Sequence, residues 1–506
     1  MKTLNAFSPL DGTLLKEYPI ASIGEMEAAL LRAKETFRIF SETDTGKRIR
    51  LLKSLRSVII AETDNIVATI CKTTGKVKSE ALMTEVFPVL ATLKYYEKHL
   101  KKFLKPRKVP VPFAFMDIKA GVSLRPSGIA LIISPWNFPF QLAMIPIISA
   151  IAAGNSVLLK PSEYALPVGE LIANLCQSAG FPSFLVQTIY GDGNTGAELI
   201  ALHPDRILFT GSTKVGKKIM QQAAELTIPV LLELGGKSPM IVFADADFDR
   251  AVNGMVFSAF CNSGQVCVAT SRAYVEESIY ERFTAAIAEK TKQLTQGKIT
   301  EDDLGFLVLP SRAEALNGLI KEAVSKGAKV LCGSLSGKYF TPVVLANVNE
   351  HMAVMKEEIF GPVLPIMSFG SAAEAVRLAN DSPYGLSASV WTSDKKKAKD
   401  IASKLQAGNI NINDALISVG IPSLPFGGTK ESGIGRYHGF SGIEFFSDIV
   451  SIAQSSGRHP SSTAWFPYGA KLYPDFKQTL RLLYGRGHFF KALRSAFRLW
   501  LRNFRR

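Results

Sequence analysis

Over 23–39 and 46–62, hydrophobic positions recur at helical spacing with charges between them. This predicts two amphipathic helices packed on a larger body. From 128 to 235 the pattern changes. Apolar, β-branched runs at 129–133, 156–159, 185–190, 206–209 and 230–232 alternate with helical stretches, which is the mark of a parallel α/β sheet. A second alternating region follows Ser238, with runs at 240–243, 273–276 and 328–331, and predicts a second α/β domain. Two segments stand outside this alternation: 109–124 is extended, and 445–453 is short and β-rich. The most apolar stretch, 138–159, is about long enough to span a bilayer. It holds Gln141, Pro146, Gly154 and Asn155 and leads into Lys160, so it is read as a buried helix followed by a buried strand.

Composition narrows the class. A chain of 506 residues with 47% hydrophobic and 20% charged residues is globular, with room for two or three domains. The five cysteines (Cys71, Cys176, Cys261, Cys267, Cys332) are odd in number and lack C-x-x-C spacing, which argues against a disulfide framework and for a reducing compartment. The six histidines are scattered, so no metal site is expected. Residues 1–6 open no long apolar run, and no secretory signal is evident. A cytoplasmic location follows as the expectation. Of the net charge of +15, +10 falls within 451–506. The basic character is thus mainly that of a tail, and nucleic-acid binding by the whole chain loses most of its support.

The candidate chemistry centres on a thiol and a carboxylate. Cys267 sits in Gly264-Gln265-Val266-Cys267, and Glu233 lies 34 residues upstream in Glu233-Leu234-Gly235-Gly236-Lys237-Ser238-Pro239. Thiolate is the reactive form of cysteine and needs a depressed pKa or a nearby base. Glu233 follows an apolar run, and desolvation there would raise its pKa and suit it to general-base work. Asn137 stands in Pro135-Trp136-Asn137-Phe138-Pro139, after an apolar strand. Its neutral amide could donate to a developing oxyanion. A literal G-x-G-x-x-G at 191–196 lacks the acidic strand end expected about 20 residues on. The stronger anion-binding signal is Phe209-Thr210-Gly211-Ser212-Thr213-Lys214-Val215-Gly216, a strand end, a glycine turn and a helix start.

With Lys160-Pro161-Ser162-Glu163 and Glu358-Ile359-Phe360-Gly361-Pro362, these runs in this order resemble the NAD(P)-dependent aldehyde dehydrogenase superfamily over roughly 6–455. The run 423–428 resembles its fatty and aromatic (class 3-like) branch. The resemblance implies an α/β fold: an atypical Rossmann cofactor domain (1–107 and 127–235), an α/β catalytic domain (236–440) and a small β oligomerisation arm (108–126 and 441–454). Cys267 matches the nucleophile, Glu233 the base and Asn137 the oxyanion donor, joined by the backbone amide of Cys267. NAD is the expected cofactor, with NADP as the alternative. Trp136, Lys160, Ser162, Glu163, Gly211, Ser212, Gly216, Leu234, Gly235, Glu358 and Phe360 match positions that would hold it. Glu163 would repel a 2′-phosphate, although Lys160 could partly offset this. Acyl transfer to coenzyme A would not need Glu233, and an intact Cys267, Glu233 and Asn137 argue against a non-catalytic docking protein. No arginine in these runs is placed for a substrate carboxylate, so the expected substrate is an apolar, medium- to long-chain aldehyde, with a small semialdehyde as the alternative. A homodimer or homotetramer is expected.

Residues 455–506 fall outside the resemblance. In 489–506, Phe489, Leu493, Phe497, Trp500, Leu501 and Phe504 share one helical face. Lys491, Arg494, Arg498, Arg502 and Arg505 share the other. The pattern is that of an interfacial helix on an anionic membrane, and a gate or a dimer contact would use the same face.

Overall fold

The computed structural model describes residues 2–112, 115, 118–309, 311–336, 339–457, 465–485 and 497. The chain divides into two compact units, Met1–Leu104 with Arg125–Asp448, and Lys105–Leu124 with Ile449–Arg506.

The first unit is built on two mainly parallel sheets. One has six strands in the order Gly433–Ile434, Val230–Glu233, Arg206–Thr210, Ile129–Ile133, Ser156–Lys160, Val186–Thr188. Only Gly433–Ile434 runs antiparallel to its neighbour. Ile129–Ile133 and Ser156–Lys160 are buried at every position, as central strands covered on both faces must be. The apolar stretch expected to be core forms the wholly buried helix Gln141–Ala153 and then the strand Ser156–Lys160. The helix Ile23–Phe40 packs on this sheet and opens with a capping box between Ser22 and Glu25.

The other sheet has seven strands, ordered Lys329–Ser336, Tyr339–Ala346, Val363–Phe369, Arg272–Glu276, Pro239–Val242, Ser387–Trp391, Asn409–Ile412. Its first pair is an antiparallel hairpin, so the run expected at 328–331 extends to Ser336. The run at 185–190 shrinks to Val186–Thr188, which pairs on one side only. Val230–Glu233 and Pro239–Val242 belong to different sheets.

The second unit holds most of a three-stranded sheet, ordered Ser447–Ser455, Ile118–Pro126, Arg107–Val109. It also holds the helix Gly469–Tyr484. The amphipathic helix expected over 489–506 lies outside the described residues, Phe497 excepted. Among the described residues, no helix is long and apolar enough to cross a membrane.

Candidate active site

Four parallel strands of the six-stranded sheet end on one edge. Ile133 pairs with Lys160 and with Phe209, Phe209 with Leu232, and Thr210 with Glu233. Carboxyl ends of parallel strands are where α/β sheets bind ligands, because the chain turns away there and leaves a crevice. The strands deliver Asn137, Lys160, Gly211 and Glu233 to this edge from four separate stretches of sequence.

Glu233 closes its strand and is buried. Neither carboxylate oxygen has a hydrogen-bond partner. Burial raises its pKa well above the usual carboxylate range, and the Arg436 guanidinium opposes that only in part. The carboxylate lies against Gly427, where a Cβ would stand 2.9 Å from Oε1, and Gly427 itself has φ +156°. Orphaned buried carboxylates are costly, so such a group marks a place built for something other than stability.

Cys267 is half-buried, and all five cysteines are free. Burial pushes its thiol up to about 12, with Glu233 and then Glu358 adding to the rise through their charges. Its own amide and that of Val268 act in the opposite sense, by hydrogen bonding to the thiolate. Thiol, Glu233 and Glu358 are therefore electrostatic neighbours. Cys261 lies at the end of the helix Phe248–Phe260, and burial, with Glu80, pushes its pKa up. Tyr437 completes the surroundings: it is fully buried, and the charges of Glu233 and Cys267 both act on it. It pairs with Phe426 through two backbone hydrogen bonds of 2.7 and 3.0 Å.

The loop carrying Cys267 is held in an unusual backbone shape. Asn262, Ser263 and Gly264 have φ of 47°, 58° and 72°. Left-handed non-glycine residues cost about 1 kcal/mol each and persist only when the surroundings over-determine them. Here the surroundings do. The Asn262 amide donates to Glu80, and its side chain donates to the carbonyls of Asn137 (3.1 Å) and Gln265 (3.2 Å). Gln265 Nε2 donates to Asn262 and Phe306 carbonyls, and its Oε1 accepts from Val308. A Cβ on Gly264 would meet the Gly361 carbonyl at 2.2 Å, so only glycine fits.

Asn137 is buried, and its Nδ2 donates to the Gln265 carbonyl at 3.0 Å. A primary amide has two N–H donors, so one bond fixes the rotamer and leaves the second N–H for another acceptor. The backbone of Asn137 is held by a residue the local motifs do not mark. Lys76 Nζ donates to the Asn137 carbonyl at 3.1 Å and to Glu85 Oε1 at 2.7 Å, with both side chains of that ion pair fully buried. Glu85 Oε2 in turn accepts from the amides of Phe140 and Gln141 at the start of the buried helix. Lys76, in the segment after the helix that ends at Thr74, and Glu85 escape the sequence reading because two opposite charges nine positions apart look like those of an ordinary surface.

The glycine turn at 211 forms as expected. Ser212 caps the helix Thr213–Glu225, accepting from the Val215 amide at 3.4 Å. The hydroxyl proton stays available to an anion at that helix N-terminus. A Cβ on Gly216 would come within 2.4 Å of Leu234 Cδ2, so helix and strand end are in close contact. By contrast, the helix start after the literal G-x-G-x-x-G is already capped by Asp192, which accepts from Asn194 and Thr195. That carboxylate would repel a phosphate.

Gly235 and Gly236 form a seat for Glu358. A Cβ on Gly235 would stand 2.5 Å from its Oε2, and the Gly236 amide donates to its Oε1 at 3.1 Å. Burial raises the Glu358 pKa, while that amide, Arg312 and Lys237 oppose the rise. Phe360 packs edge-on against Trp136 with ring centroids 5.5 Å apart. Lys237 is buried, donates to the Val354 carbonyl at 2.8 Å, and is pushed well below the usual lysine range by burial and then by Arg272. Lys160 is also buried, with its Nζ on the Pro161 carbonyl at 3.2 Å. Burial lowers its pKa, and Glu163 and Asp192 work against that. Ser162 Oγ donates to Glu163 at 3.4 Å.

A cavity of about 880 Å³ opens beside the helix Phe248–Phe260. Phe87, Phe257, Trp391, Leu416, Ile417 and Ile421 give it apolar walls. The charged groups in it are tied to each other: Arg250 pairs with Asp414 at 3.5 Å and donates to the Asn413 carbonyl. The helix leads into the 261–267 loop, and the segment after Ile421 leads to Phe426 and Tyr437.

The family model for the aldehyde dehydrogenase family matches residues 1–452. The chain belongs to the aldehyde dehydrogenase family. It is 43% identical over 487 residues to 4,4'-diapolycopene aldehyde oxidase of a Methylomonas species, covering 96% of this chain and 92% of the relative. It is 34% identical to human 4-trimethylaminobutyraldehyde dehydrogenase, covering 90% and 93%. Among solved structures it resembles an NAD+ complex of aldehyde dehydrogenase from Bacillus cereus, with TM-score 0.85, 32% identity and coverage of 90% and 94%. The α/β architecture is that of this aldehyde dehydrogenase family.

Proposed function

We propose that this aldehyde dehydrogenase oxidises an apolar aldehyde of medium to long chain to its carboxylic acid, with NAD as the preferred cofactor. The observation that carries the reading is the Glu233 carboxylate, buried and unpartnered within electrostatic reach of the Cys267 thiol.

In this reading the Cys267 thiolate attacks the aldehyde carbon. Its proton passes to Glu233, directly or through water. The free N–H of Asn137 and the amide of Cys267 donate to the oxyanion of the tetrahedral adduct. The oxidised nicotinamide, when bound, supplies the acceptor for the hydride that leaves the adduct. Glu233, once it has released the thiol proton to solvent, takes a proton from the water that hydrolyses the resulting thioester, and Cys267 leaves as the thiolate. A raised pKa suits this role, because a stronger base is a better proton acceptor and burial keeps competing partners away.

The cofactor fits the residues present. After the turn at Gly211, the N-terminus of Thr213–Glu225 offers its first amides and the Ser212 hydroxyl to a pyrophosphate. Gly216 and Leu234 keep that helix close to the strand end. Lys160, Ser162 and Glu163 would meet the adenosine ribose, where the Glu163 charge disfavours a 2′-phosphate. Glu358, on its Gly235–Gly236 seat, would take the nicotinamide ribose, beside Trp136 and Phe360. The apolar reading of the substrate is supported by the walls of the 880 Å³ cavity and by a relative named for diapolycopene aldehyde. Homo-oligomer formation through the three-stranded sheet is supported by its edge strand Ser447–Ser455, which leaves Ile449 and Ile452 exposed.

The test is reduced-cofactor formation with an aldehyde chain-length series, for wild type and Cys267→Ala, with NAD and NADP separately. Rates that rise with chain length, favour NAD and vanish in the variant are expected. Equal rates for short charged semialdehydes and long apolar aldehydes would sink the substrate reading. Activity retained in Cys267→Ala would sink the mechanism.

A further inference from the structure

The helix Gly469–Tyr484 carries an aromatic face that its own unit leaves uncovered. Tyr473, Phe476, Leu480 and Tyr484 are 74%, 49%, 45% and 77% exposed. At 3.6 residues per turn they fall within an arc of about 80°. Thr479 is buried and Leu472 and Leu483 are half-buried, so a different face of the helix packs inward. Lys477 and Arg481 border the stripe, and Lys477 Nζ sits 5.8 Å from the centre of the Tyr473 ring. Just ahead of the helix, Trp465, Phe466 and Tyr468 are exposed as well.

A run of large apolar groups left in water on one face marks an interaction surface. Charge selects the occupant. Asp475 is the sole acid in 451–506, and it lies off the stripe, while eleven Lys and Arg make the segment +10. Seven of those eleven fall in 486–506, directly after the helix. A second copy of this chain would bring the same positive field to the contact and be repelled. A surface of anionic lipid headgroups would attract it. Tyr, Trp and Phe beside Lys and Arg are suited to the headgroup boundary, where rings enter the acyl region and cations stay with phosphates. The helix is too short to span a bilayer, at about 24 Å for its length and with charges on its flank.

We propose that the stripe formed by Tyr473, Phe476, Leu480 and Tyr484 docks the protein on an anionic lipid bilayer. The 486–506 segment then adds electrostatic attraction to an anchor that the helix already provides. The proposal stands apart from the aldehyde reading, since its readout is partition onto lipid rather than turnover.

The experiment is flotation of the full-length protein with phosphatidylcholine vesicles, with and without phosphatidylglycerol. Wild type is expected on the mixed vesicles and not on phosphatidylcholine alone, with binding weakened by salt. Tyr473→Ser/Phe476→Ser/Leu480→Ser/Tyr484→Ser is expected to lower the partition coefficient at least about tenfold. Lys477→Glu/Arg481→Glu, which leaves the apolar face intact, is expected to lower it too. A chain lacking 486–506 should keep binding that the serine substitutions remove. Thermal unfolding of each variant checks that the first unit is intact. The proposal is overturned if wild type ignores anionic vesicles, or if the serine variant binds as wild type does. It is also overturned if the serine variant keeps lipid binding but sediments as a smaller oligomer, because the stripe would then be a subunit contact.

Discussion

The carbonyl oxygen of Glu233 accepts a hydrogen bond from the amide of Gly211 at 2.9 Å. The same two strands pair Thr210 with Glu233 in register. The candidate base and the candidate phosphate turn are thus adjacent parts of one ladder, and the link runs through backbone alone. Replacing the Glu233 side chain should leave the turn in place. Glu233→Gln is expected to lower steady-state turnover by about 10²–10⁴-fold while cofactor affinity, read by fluorescence titration, stays within about twofold. A rapid first turnover followed by a stall would show that thioester hydrolysis is the step lost. A matching collapse in cofactor affinity would refute the separation of roles.

The Cys267 thiol titrates high because it is buried near two carboxylates. A thiol reacts as its anion, so below a raised pKa the reactive fraction grows with pH. In the free enzyme, alkylation of Cys267 by iodoacetamide should quicken about tenfold per pH unit from neutrality through the alkaline range, without a plateau near pH 7. Glu358→Gln removes one of the two negative charges, so it should lower the thiol pKa and speed alkylation at fixed pH. Slower alkylation in that variant would contradict the assigned electrostatics. For catalysis the sign is the same: with the Glu233 pKa raised by burial, activity should climb with pH through a region above the ordinary carboxylate range.

Asn137 is held at its carbonyl by Lys76 and Asn262 and at its amide by Gln265. Truncating the side chain should remove the oxyanion donor without moving the backbone. Asn137→Ala is expected to lower kcat by about 10²–10³-fold with little change in KM. The check is steady-state kinetics on the substrate found in the chain-length series. A large rise in KM with kcat preserved would assign Asn137 to substrate binding instead.

The Lys76–Glu85 pair has no access to solvent. Removing one partner leaves the other charge buried and uncompensated. Lys76→Met is expected to destabilise the protein by about 3–5 kcal/mol, read by thermal or denaturant unfolding. Lys76→Met/Glu85→Leu should recover a good part of that loss. A single variant as stable as wild type would show that water reaches the pair.

Exposed walls of the cavity offer a test of selectivity. Phe257→Asp places a charge among Phe87, Ile417 and Ile421. Each added methylene of substrate gains about 0.8 kcal/mol on apolar burial, and the variant should flatten that gain. The expected result is a kcat/KM nearly independent of aldehyde chain length, with short aldehydes turned over as by wild type. An unchanged slope would place the substrate elsewhere.

The class of fold is legible in the order of residues, because strand and helix periods are local. Ile129–Ile133 and the helix Ile23–Phe40 form almost where the apolar spacing puts them. The candidate residues were legible there too, because Cys267, Glu233 and Asn137 each lie in a short and specific run. Folding alone leaves Glu233 without a partner, brings Lys76 and Asn262 to the Asn137 carbonyl, and seats Glu358 on two glycines. Those contacts join residues from 61 to 125 positions apart, and no local period encodes them. The helix Gly469–Tyr484 is a further case. Pro474 stands inside it and obscures its signal, since proline removes a backbone donor. Whether its aromatic stripe is buried depends on which other face packs inward, and that is settled by packing rather than by the order of residues.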